Sequence, residues 1–139
     1  MTYTEVVEYL KSKAIGVSPD CRFIHGKRPD ASLASTNTVW PLIWLAPIRE
    51  TIDRQKGNID NQIIITFLAQ DSTNNTLEER RALIQTMYVL KEAFMVSLRS
   101  SIPLLGVATN ENAVPEYSQL GGYASGYSVN FKFSSKTAC

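Results

Sequence analysis

Residues Thr76-Leu-Glu-Glu79 and the stripe behind them constrain this chain most. A threonine followed three residues later by glutamate is a capping box. The hydroxyl accepts from the backbone at Glu79, and the carboxylate reaches back. Leu83, Met87, Leu90, Phe94 and Leu98 then recur at helical spacing, and Ile84, Tyr88, Met95 and Val96 widen the stripe. Glu78, Arg81, Gln85, Glu92 and Arg99 mark the wet side, and Pro103 forbids continuation. The pattern predicts one long helix near 76–100. A helix with one apolar face must lay it on another layer.

Strands supply that layer. Tyr127, Val129, Phe131 and Phe133 alternate with Ser128, Asn130, Lys132 and Ser134, so the strand predicted near 122–134 has one core face and one wet or polar-contact face. Residues 61–70 split into Ile63, Ile65, Phe67 and Ala69 on one side and Ile64, Thr66 and Leu68 on the other. Residues 38–54 read as one long strand or two collinear ones. Pro41 and Pro47 argue for an edge or bulged position there. Lys56-Gly57-Asn58 is a turn signal, so 38–54 and 61–70 are expected to form a hairpin, the longest strand pair of the fold. A short helix near 2–14 carries Val6, Val7, Leu10 and Ala14 on one side, and 21–25 reads as a short strand. Leu104–Ala108 is a further short strand candidate, and the polar stretches 27–37 and 109–122 read as mobile loops. The expected fold is α+β: a single domain over 1–139 with a small, mostly antiparallel sheet and two helices packed on one face.

That arrangement leaves the second sheet face to be explained. Trp40, Leu42 and Trp44 fall on one side of the first hairpin strand, and Val39, Ile43 and Leu45 on the other. Helices can cover only one of these faces. Two readings of the tryptophans stand: core anchors, or an interface with another chain. On the interface reading the contact residues are Trp40, Leu42, Trp44, Ile64 and Leu68.

Catalytic chemistry finds little footing. His25 is the only histidine, so no Ser-His-Asp or Cys-His pair exists without it. Cys21 and His25 would share a strand face, but a zinc site needs further ligands, and Cys139 is a weak one. The aspartates sit mostly at turns, and Gly121, Gly122 and Gly126 precede a strand, which is not a phosphate loop. We expect no enzyme activity, no cofactor and no metal. The 14 Lys and Arg against 13 Asp and Glu give no electrostatic reason for a sequence-specific nucleic-acid partner or a membrane surface. Met1-Thr-Tyr-Thr-Glu5 carries no signal-peptide pattern, and two cysteines make no disulfide framework. Synthesis in the cytoplasm is expected.

The order of elements, with Trp44-Leu-Ala-Pro47, the hairpin into Ile63-Ile-Ile-Thr-Phe-Leu68, the Thr76–Arg99 helix and the entry Gly122-Tyr-Ala-Ser-Gly-Tyr-Ser-Val129, resembles the tail terminator family of tailed phages and related tail-completion and neck proteins. The resemblance is architectural and carries no catalytic residues. It implies a virion structural protein made in the host cytoplasm. Its subunits would form a homo-oligomeric ring at the head–tail neck or the tail-tube end, beside portal, adaptor or tail-tube proteins. The rival reading is a small-molecule or peptide binding module with a cleft near Trp40 and Trp44.

Overall fold

The capping box forms as the sequence requires: Glu79 N–H donates to Thr76 Oγ1 at 3.2 Å, and Thr76 N–H donates to Glu79 Oε1 at 3.4 Å. Behind it runs α2, Leu77–Arg99. The computed structural model describes residues 2–26, 39–72, 74–99, 106–107, 111–118 and 124–136. The predicted loop at 27–37 and Cys139 lie outside them. A second cap starts α1, Tyr3–Val17, where Glu5 N–H donates to the Thr2 hydroxyl at 3.2 Å.

Among the described residues the sheet has seven strands: β1 Arg22–His25, β2 Leu42–Leu45, β3 Arg49–Asp53, β4 Asn58–Gln70, β5 Gly106–Val107, β6 Asn112–Ser118 and β7 Ala124–Lys136. Its order is β1-β2-β4-β7-β5, with β3 also on β4 and β6 also on β7. Only β1–β2 is parallel; all other pairs are antiparallel. The fold is α+β, with a mostly antiparallel sheet.

Two expectations about the strands are corrected, and of the two readings of 38–54 the two-strand one holds. The longest pair is not the hairpin of 38–54 with 61–70. It is β4 with β7, thirteen residues each in continuous register from Asn58↔Lys136 to Gln70↔Ala124. These strands are far apart in sequence, so no turn signal announces their pairing. The 38–54 segment divides into β2 and β3, with Pro47 in the gap where a ladder donor is missing. Within 109–122, read as loop, residues 112–118 form β6. Its Pro115 masks the strand pattern, yet an outer strand paired on one side tolerates proline.

Odd-numbered positions of β4 and β7 face the helices. Ile63, Ile65, Phe67, Val129 and Phe131 are buried there, with Ile43 and Leu45 of β2 beside them. Val6, Leu10 and Ala14 of α1 and Met87, Phe94, Met95 and Leu98 of α2 close the core. Phe67 and Phe94 meet edge to face, with ring centroids 5.5 Å apart. Val96, expected in the helix stripe, is instead 59% exposed, and Val39, expected to share a face with Ile43, lies before the strand at 51%. A position the stripe omitted is buried: Lys91. Its ammonium pairs with Glu92 and lies over the Tyr88 ring at 4.4 Å and the Tyr127 ring at 5.3 Å.

Candidate functional site

Among the described residues no helix packs on the other sheet face. Register alone defines its composition, because residues paired across a ladder point to the same side. At one end, where β4 finishes and β7 starts, Leu42, Leu68 and Ala124 form a small buried cluster under Ile24 and Trp40. Leu42 is 0% and Leu68 2% exposed within the single chain. Of the five residues expected to make the interface, these two therefore support the surface from below. Trp40 and Trp44 are half-buried, and Ile64 is exposed. The Trp44 indole N–H donates to the Gly26 carbonyl at 3.0 Å, which ties the end of β1 to β2.

Away from that cluster the face turns polar in three cross-strand rows. Ile64, Asn130 and Asn112 make one row across β4, β7 and β6. Arg49, Gln62 and Lys132 make the next across β3, β4 and β7. Thr51, Asp60 and Ser134 make the third. Side-chain bonds run across the strands: Gln62 Nε2 donates to Asn130 Oδ1, Ser134 Oγ donates to Asp60, and Thr66 Oγ1 donates to Ser128 Oγ. The residues of these rows other than Asn112 and Ser134 line, with Pro47, a groove of about 590 Å³. Arg49 and Lys132 have no ion-pair partner among the described residues. Adjacent strands lie about 4.8 Å apart, so the backbones of these two residues stand roughly 10 Å apart across Gln62. Alternation within β4 and β7 carried part of this signal; the rows needed the pairing.

The two clusters that draw most attention in a search for chemistry are structural. His25 Nδ1 donates to the Leu45 carbonyl at 3.0 Å, because a carbonyl can only accept. Its Nε2 then accepts from the Tyr3 hydroxyl at 3.0 Å, and that hydroxyl accepts from Ile48 N–H at 3.2 Å. The imidazole thus links α1, β1 and the β2–β3 connection. Cys21 packs against the main core, and burial pushes its thiol above the ordinary value. Among the described residues no three His, Cys, Asp or Glu side chains group closely enough to hold a metal ion.

Asp71 is the other cluster. Its side chain is fully buried and accepts from Ser72 N–H at 2.7 Å, Asn75 Nδ2 at 2.7 Å, Arg80 Nε at 2.8 Å and the Ser125 hydroxyl. Burial by itself raises this carboxyl, but the hydrogen bonds from Ser125, Arg80, Ser72 and Asn75 outweigh it and hold the group below its usual range. The carboxylate fastens the end of β4, the start of α2 and the start of β7 together.

Among the described residues no helix is long and apolar enough to cross a membrane. No protein-family model matches the chain, and no curated protein matches it either.

Proposed function

We propose that this chain is a structural subunit of a tailed-phage virion, forming a homo-oligomeric ring at the head–tail neck or the tail-tube end. The observation that carries the reading is the sheet face opposite the helices. Among the described residues it holds a half-buried Trp44, an exposed Ile64 and Val114, and a 590 Å³ groove with two cations that have no ion pair. A face with that mixture of apolar and satisfied polar groups suits a protein contact better than a reaction. The groove lies in the polar half of the face. Trp40 and Trp44 do not line it. Portal, adaptor or tail-tube proteins are the expected neighbours.

Analytical ultracentrifugation of the purified chain, alone and with portal and tail proteins, tests the reading. The expected result is a closed oligomer, formed alone or on the partner. Trp44→Glu should lose the oligomer while circular dichroism still reports the fold. A folded wild type that stays monomeric in every mixture overturns the proposal.

A further inference from the structure

A cyclic ring needs two different patches per subunit, one fitting the other, placed so that both are used at once. The groove is one such patch. It offers an apolar end at Pro47 and the 39%-exposed Ile64, with Asn130 beside it, a middle row that holds the cations Arg49 and Lys132, and a far end at Thr51 and Asp60, whose carboxylate accepts from Ser134. Gln62 Nε2 donates to the Asn130 carbonyl oxygen, and both residues line the groove. What fits is an apolar side chain next to a carboxylate.

The described surface displays that pair at the start of α2. Leu77 is 54% exposed, the adjacent Glu78 is exposed, and Glu78 has no hydrogen bond or ion pair among the described residues. Glu79 differs, because the cap holds its carboxylate. The two patches cannot meet within one chain. Asp71 fixes the first turn of α2 at the end of the sheet where β4 finishes, on the helix side. The groove lies on the opposite face, toward the start of β4. Opposite faces and opposite ends make a head-to-tail contact, which gives a ring where the rotation per subunit closes.

We propose that the groove on the open sheet face receives Leu77 and Glu78 of a second copy of this chain, with Glu78 seated between Arg49 and Lys132. This inference rests on the assembly reading above and names the contact that reading needs. Charge complementarity sets the occupant: among the described residues the receiving side has two cations without an ion pair against one carboxylate, Asp60, already held by Ser134, and the inserting side has the unpaired Glu78 carboxylate.

Sedimentation velocity with native mass spectrometry on the full chain tests it, using Glu78→Lys and the double variant Arg49→Glu, Lys132→Glu. All three side chains are exposed, so each variant should keep the wild-type circular dichroism spectrum. Each should associate at least about tenfold more weakly than wild type. In an equal mixture both unlike contacts pair opposite charges: the Glu78→Lys chain inserts into the acidic groove of the double variant, and the double variant's Glu78 inserts into the unaltered groove, so the mixture should assemble better than either variant alone. The triple variant carrying all three changes restores opposite charges and should recover the oligomer. Charge variants that assemble as wild type does overturn this contact and leave the ring to another surface. Failure of the triple variant to recover overturns the pairing of Glu78 with the two cations. A wild type that never self-associates, yet assembles on portal or tail proteins, overturns the contact while the ring reading stands.

Discussion

Asp71 is the residue on which most separate parts of the chain converge. Its partners come from the loop after β4, from α2 and from β7. Asp71→Ala removes the acceptor for all of them and leaves Arg80, whose side chain is only 18% exposed, without its anion. We expect a loss of about 3 kcal/mol at neutral pH, read from denaturant midpoints. The sign of the pH dependence follows from the lowered carboxyl. A depressed folded-state pKa contributes stability that is fully present above the unfolded value of about 3.9 and is lost as pH falls through the folded value. The gap between wild type and Asp71→Ala should therefore shrink on acidification below about pH 4. A gap that stays constant to the acid limit contradicts the role given to the carboxylate. Gly126 is the second residue of this kind. A Cβ there would lie 1.8 Å from the Phe67 carbonyl oxygen, and backbone cannot yield as a flexible side chain does. Gly126→Ala should cost at least about 3 kcal/mol or prevent folding, whereas Gly16→Ala, where a Cβ meets nothing within 4 Å, should not.

At the scale of elements, local chemistry and pairing contributed differently. Both helices begin where a threonine three residues before a glutamate places them. Thr76→Ala should lower stability by about 1 kcal/mol, and Thr76→Ser should retain most of it. An unchanged thermal midpoint for Thr76→Ala removes the cap from the account. The helices, β1, β4 and β7 were legible because capping and side-chain alternation are local. The β6 strand was not, because Pro115 and polar neighbours read as loop when considered alone. It becomes a strand because β7, already fixed against β4 on one side, offers a ladder on the other. The length of the β4–β7 pair was illegible for a similar reason: fifty-odd residues separate the two strands, and only the α2 connection brings them together.

For the whole molecule, the open face decides the reading. The sequence pattern suggested a large apolar surplus there. The structure reduces it, because Leu42 and Leu68 are already buried under Trp40 and Ile24. What remains outside is a mixed surface, with Ile64 and Val114 among amides, hydroxyls and two cations. Such a face needs geometric fit more than area, since polar groups weaken a contact unless each finds a partner. Assembly through it should accordingly be salt-sensitive, since the unpaired Arg49 and Lys132 stand at its wet side.

The sequence by itself determined the class of fold, both helix starts, the apolar side of α2 apart from Val96 and Lys91, and the inward side of β7. Each depends on neighbours within a few residues, where sterics and hydrogen-bonding partners are set by the local chain. Only the tertiary structure decided which strands pair, which tryptophan-side residues stay exposed, and that Arg49, Gln62 and Lys132 stand in one row. Register between distant strands follows from packing the whole core at once, so no local pattern contains it.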